Sequence, residues 1–196
     1  MITILTNMAL AVQRPALGRT KAWREQGFWR DETIYGDLIR TANADSAQVA
    51  IASWRHDRGE LEALTYGELL ALAQRAANGL AELGVRAGDV VSLQLPNWWQ
   101  FTALHLACVR AGAVTHPMSP ILGRREVITQ VRAANSRLLV LPDHHRSVSY
   151  RSLALEIKQM LPELEHVLIV GDTLEPALFE ASDPGDPGQP AAGADD

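Results

Sequence analysis

Four short apolar runs begin at Val90, Ala113, Arg137 and His166, so their starts lie 23, 24 and 29 residues apart. Antiparallel neighbours can be joined by a two-residue turn, whereas parallel neighbours need a crossover of a dozen or more residues, usually a helix. Every interval here is long enough for that helix. The last two runs, Arg-Leu-Leu-Val-Leu from 137 and His-Val-Leu-Ile-Val from 166, are almost continuously apolar, as strands covered on both faces must be. The spacing predicts parallel strands at Val90–Leu95, Ala113–Met118, Arg137–Leu141 and His166–Val170, with right-handed crossovers that lay helices on the sheet.

The intervening helices are expected to begin at Asn97, near Gly123 and near Ser149, with Asn135 and Pro162 marking two of the ends. Asn97 with Gln100 reads as a capping box. Thr65 with Glu68 reads as another, in which each side chain satisfies the other residue's free backbone N–H. The helix it opens carries Leu69, Leu72, Ala73, Ala76, Leu80 and Leu83 at helical spacing and stops at Gly84, which can turn left-handed. Upstream, Val49, Ile51 and Ser53 alternate with smaller residues. His56-Asp57-Arg58-Gly59 then signals a turn into a second strand ending near Leu64, and the pair reads as a β-hairpin. A short helix over Thr33–Ala42, through Ile34, Leu38 and Ile39, precedes it. Residues 1–32 show no sustained period, and Trp23, Phe28 and Trp29 are expected to be buried as part of a strap.

The fold class is therefore α/β: a parallel sheet, flavodoxin-like in outline, with flanking helices, an N-terminal hairpin and a strap. The expected domains are the strap at 1–32, an α/β unit at 33–172 and an acidic Pro/Gly linker at 173–196. From Asp172 to Asp196 there are seven acids and no Lys or Arg, and so little apolar surface that ordering entropy is not offset; this tail is expected to be disordered. Net charge is −5, but without the tail 16 acids face 18 bases. A nearly neutral body has no basic footprint for nucleic acid. No run reaches the ~18 apolar residues of a membrane span and no signal peptide is evident, so the expected compartment is the cytoplasm.

A dinucleotide site needs glycines in the first strand-to-helix turn, where backbone N–H groups approach a pyrophosphate. Here that turn is Pro96-Asn97-Trp98-Trp99, and neither GxGxxG nor GxxxxGK[ST] occurs. At least one of the two indoles is expected to pack into the core or a seam. Cys108 sits in an apolar helical pattern and reads as a small buried hydrophobe. His105, on the same helix, reads as a partly buried, hydrogen-bonded residue rather than a base. His144 and His145 lack the spacing of helical metal ligands and read as solvated loop residues. Gly123-Arg124-Arg125 lies at a helix start, where free N–H groups and two guanidinium groups favour an anion, although a solvated basic turn has the same composition.

Leu64-Thr65-Tyr66-Gly67-Glu68-Leu69 resembles the strand-to-helix entry of the adenylate-forming acyl-CoA synthetases. The likeness continues through Gly84-Val85-Arg86-Ala87-Gly88-Asp89-Val90-Val91, Leu95-Pro96-Asn97, Ala111-Gly112-Ala113-Val114 and Pro117-Met118-Ser119-Pro120. It extends from about Trp29 to Asp172, and residues 98–114 are similar to the short- and medium-chain or cyclohexanecarboxylate–CoA ligase branch.

The resemblance implies a two-step ligase. A carboxylate attacks the α-phosphate of ATP, and the CoA thiol then displaces AMP from the acyl-adenylate; Mg2+ neutralises phosphate charge. In such a ligase, the anion-favouring helix start makes Arg124 and Arg125 candidate contacts for CoA phosphate, and Trp98 and Trp99 are candidate walls of an acyl pocket. The phosphate loop, the magnesium-binding Glu and the catalytic Lys of such enzymes match no position here, so no catalytic residue is assigned and the chain alone is expected to be inactive. The alternatives are a non-catalytic remnant that pairs with a polypeptide carrying the missing part, and an unrelated flavodoxin-like binding domain.

Overall fold

The computed structural model describes residues 17–55, 59–146 and 148–171; the acidic tail expected at 173–196 lies outside them. Two compact units are distinguished, residues 1–31 and 32–196. In the first, α1 (Leu17–Glu25) is a helix that the sequence pattern did not reveal. The reason is physical: the helix has no apolar stripe to generate a period. Trp23 and Trp29 pack on each other with ring centroids 4.9 Å apart. Phe28, expected to be buried, is 72% exposed.

The second unit opens with α2 (Ile34–Ala44), whose N-cap Thr33 accepts a hydrogen bond from the Gly36 N–H at 3.1 Å. It buries Tyr35, Leu38 and Ala42 and leaves Ile34 half exposed, so its inner stripe is rotated from the one expected. Strands β1 (Val49–Arg55) and β2 (Glu60–Thr65) form the expected antiparallel hairpin. Thr65 then opens α3 (Tyr66–Glu82) with a complete capping box. Its hydroxyl accepts from Glu68 N–H at 3.2 Å, and the Glu68 carboxylate accepts from Thr65 N–H at 2.8 Å. Gly84, at φ +77°, lets the chain turn away so that Val85 N–H reaches the Leu80 carbonyl at 2.9 Å.

The expected strands appear as β3 (Val90–Leu93), β4 (Val114–Pro117), β5 (Ser136–Pro142) and β8 (His166–Val170). They form one wholly parallel sheet in the order β4-β3-β5-β8. The crossovers are α4 (Trp99–Ala111), α5 (Arg124–Ala133) and α6 (Arg151–Met160); a small ribbon of β6 (His144–His145) and β7 (Val148–Ser149) precedes the last.

Strand β5 shows why its sequence carried no alternation. Leu138 and Val140 enter the core built by α2, α3 and α4, while Leu139 and Leu141 enter a second core with Val127, Val131 and Ile157 from α5 and α6. Helices thus cover both sides of the sheet, and a strand buried on both faces is apolar throughout.

Candidate functional site: a cleft at the switch point of the sheet

Numbered along the chain, the parallel strands lie in the order second, first, third, fourth. The connection from β3 runs to one side and β5 lies on the other, so the chain reverses its direction of advance between them. In open α/β sheets the crevice outside the carboxyl ends of two such strands is where ligands bind. The loops leaving β3 and β5 meet there. Pro96, Asn97 and Trp98 follow β3, His145 and Arg146 follow β5, and with Trp54 and Arg55 at the end of β1 they line a cleft of about 490 Å³. That volume falls within the range of small-molecule sites.

The wall is an ordered stack. Arg55, with only 1% of its side chain exposed, pairs with Glu62 across the hairpin at 3.2 Å. Its guanidinium carbon lies 4.2 Å from the centroid of the Trp98 ring, a cation–π geometry strengthened by exclusion of water. His145 also meets Trp98, edge-on with centroids 6.2 Å apart. Arg146 sits at the rim, exposed and at φ +55°, a left-handed conformation uncommon outside glycine. The lining therefore combines two indoles, an imidazole, an amide and two guanidinium groups, that of Arg146 at the mouth. That set suits a planar group carrying negative charge.

Local chain geometry sets this arrangement. The capping box expected from Asn97 and Gln100 is not formed: the N-cap of α4 is Trp98, its N–H donates to the Pro96 carbonyl at 2.7 Å, and Gln100 is buried. Asn97 is released to the cleft. Trp99 turns the other way, against the core of α2, α3 and α4, so the adjacent indoles have separate surroundings. His145 is half-buried in the β6–β7 ribbon rather than a solvated loop residue, because pairing with Val148 directs it to Trp98. His144 is exposed beside Asp143, whose carboxyl is held below its ordinary pKa chiefly by the Arg151 guanidinium at 2.6 Å.

Arg124 and Arg125 do stand at the start of α5 behind Gly123, but they do not line the cleft. Arg124 pairs with Glu156 at 2.6 Å and Arg125 is exposed. Their loop is held at two points: buried Gln94 donates to the carbonyls of Ser119 and Leu122, and the Tyr150 hydroxyl donates to that of Pro120 at 3.0 Å. His105 bonds Thr115 at 3.0 Å, and burial lowers its pKa, as befits a structural residue. Cys108 is fully buried, and desolvation pushes its thiol up to about 11. Among the described residues no group of three His, Cys, Asp or Glu could hold a metal ion, so none is assigned to Mg2+. No described helix is long and apolar enough to cross a membrane.

Trp54, Arg55, His145 and Arg146 were not singled out for this cleft from sequence. The usable signal was topological: residues just past the carboxyl ends of the first and third parallel strands. Trp54 and Arg55 carried no such signal, since the hairpin is a separate sheet.

A parallel sheet with helices on both faces and a cleft at its switch point defines the class, that of open α/β sheets. The family model described as AMP-binding enzyme matches residues 39–196. The chain belongs to that family. It is 30% identical over 164 residues to the medium-chain fatty-acid–CoA ligase of Escherichia coli K12, covering 84% of this chain and 28% of that protein. It is 33% identical over 187 residues to the salicyl-AMP ligase / salicyl-S-ArCP synthetase of Mycobacterium tuberculosis, covering 88% and 32% respectively. The apo structure of MbtA from Mycobacterium smegmatis superimposes with a TM-score of 0.72 at 32% identity, over 91% of this chain and 33% of that one. The chain thus spans about a third of the length of these relatives.

Proposed function

We propose that this chain is the N-terminal portion of an ATP-dependent acid–thiol ligase, which converts a carboxylate to an acyl- or aryl-adenylate and then to a thioester with CoA. The observation that carries the site is the stack of Arg55, Trp98 and His145 at the switch point, with Arg146 at its mouth. A planar ring can lie against the indole while its negative charge meets the guanidinium. That chemistry describes both an aromatic carboxylate and the phosphoadenosine end of CoA. Arg124 and Arg125 are proposed as further contacts for CoA phosphate, with Arg124 exchanging Glu156 for the ligand. ATP and Mg2+ belong to the complete reaction and are assigned no residue here.

Saturation-transfer NMR on the purified chain, with salicylate and with CoA in separate samples, tests the cleft. Magnetisation should pass to the ring that enters it and vanish in Arg146→Ala, an exposed position whose loss leaves the fold intact. Signals unchanged in that variant would remove the cleft from the mechanism. Arg124→Ala with Arg125→Ala should weaken only the CoA arm. ATP–pyrophosphate exchange should be absent from the chain alone, and its presence would show that the chain carries adenylation residues not assigned here.

A further inference from the structure

Three polar side chains form a row across the parallel sheet. Ser92 of β3 is the register partner of His116 of β4, with Oγ 2.9 Å from Nδ1, and the Ser136 hydroxyl at the start of β5 lies 2.6 Å from it on the other side. Val91 and Leu93 enter the core of α2, α3 and α4, so Ser92 between them faces the side of α5 and α6. Ser92 and Ser136 are buried, and His116 is half-buried on the edge strand. The row has one arrangement that uses every proton within it. With the ring proton on Nε2, Ser136 donates to Ser92 and Ser92 donates to Nδ1; a proton on Nδ1 reverses both bonds and leaves the Ser136 proton without a row partner. Among the described residues the Ser136 hydroxyl bonds only Ser92. Reversal would turn that proton toward a cavity of about 60 Å³ whose lining includes Arg132, Asn135 and Glu163, with Arg132 and Glu163 already paired at 3.5 Å. Neutral His116 is therefore the form that fits the sheet.

We infer that His116 is an acid-sensitive latch: neutral, it ties the edge strand β4 to β3 through Ser92, and protonated, it lets β4 go. The neighbouring elements offer the imidazolium no counter-charge. Strand β3 has no titratable residue; on α4, His105 bonds Thr115 and Arg110 lies over the Tyr35 ring; on α5, Arg124 pairs with Glu156, Arg132 with Glu163, and Arg125 and Glu126 are exposed. None of these shifts His116, whose pKa is lowered by burial alone. A lowered folded-state value keeps the latch closed above the ordinary histidine range, and the opened, protonated form gains as pH falls below it. Strand β4 is bonded only to β3 in the sheet and leads into the loop that ends at Gly123, so its release reaches the start of α5.

Amide hydrogen exchange on the whole chain, followed from about pH 7.5 to about pH 5 and corrected for the intrinsic pH dependence of exchange, tests the latch. The Met118 N–H, bonded to the Leu93 carbonyl at 2.9 Å, should open several-fold more often at the lower pH. The Gln94 N–H, bonded to the Val140 carbonyl on the other side of β3, should not. His116→Asn, which keeps an acceptor in place of Nδ1 and cannot titrate, should abolish the change at Met118, and His105→Gln should leave it. In the unaltered chain the His116 ring, followed by NMR, should titrate below the ordinary value of about 6.5 and over the range in which Met118 opens. A His116 midpoint at or above that value overturns the inference, whether or not the variants fold. So does an equal rise at Met118 and Gln94, which would be general acid loosening, or a rise that persists in His116→Asn or vanishes in His105→Gln.

Discussion

The guanidinium of Arg55 lies 4.2 Å from the ring centroid of Trp98, so a residue at the end of the separate hairpin is held against the loop that leaves the first strand of the parallel sheet. Glu62 completes the arrangement from the neighbouring strand at 3.2 Å. A charge this far from solvent depends on its partner, because desolvation is offset only while the opposite charge stays close.

Glu62→Gln should therefore destabilise the fold by about 1–3 kcal/mol, less than a wholly buried pair because Glu62 is 19% exposed. Chemical denaturation measures the loss. A change below about 0.5 kcal/mol, the range of ordinary surface substitutions, would mean that the pair contributes little.

The capping box of α3 predicts both a mutational and a pH effect. Thr65→Ala should cost about 1 kcal/mol, since it removes the acceptor for Glu68 N–H. Hydrogen bonds from Thr65, the backbone one first, hold the Glu68 carboxyl below its ordinary pKa in the folded state. A lowered folded-state pKa stabilises the fold above the unfolded value, and that contribution is lost as pH falls through the folded value. Glu68→Gln should flatten the acid limb of the stability profile; an unchanged limb would assign it to other carboxylates.

Gly84 combines φ +77° with a side chain close by. A Cβ placed there would sit 3.2 Å from Arg137 Nη2, whose other contacts are Asp89 and Glu165. Gly84→Ala should cost about 1–2 kcal/mol from the left-handed backbone alone, read as a lower melting temperature. Gly88→Ala shares the positive φ without the neighbour and should cost less.

With its thiol at about 11 and no exposure, Cys108 should react with a thiol reagent at pH 8 only as fast as the protein opens. The sign is direct: burial disfavours the thiolate, so the reactive form is scarce at any pH below that value. Rapid labelling under native conditions would show that α4 opens readily.

The parallel sheet was legible from the sequence because long intervals between apolar runs leave few other solutions, and α3 because its cap, stripe and glycine stop agree. Helix α1 was not legible, since a polar helix has no periodicity to detect. The capping box at Asn97 was misread because the Pro96 turn moves the N-cap by one residue, to Trp98. Half of the cleft was visible as the loops after strands, including Trp98, but Arg55 was not: its alignment with Trp98 depends on where a separate hairpin lies, which no local pattern encodes. His145 failed for a similar reason, because two residues of ribbon pairing decided its direction.

Strand β5 divides its side chains between the two cores one by one, Leu138 and Val140 to one side and Leu139 and Leu141 to the other. A one-residue insertion among 138–141 would turn the side chains on one side of it toward the opposite helices. Where no bulge absorbs the extra residue, as one does at Arg137, the cost is two cores disturbed at once, so length changes sit more easily in the connections than within 138–141.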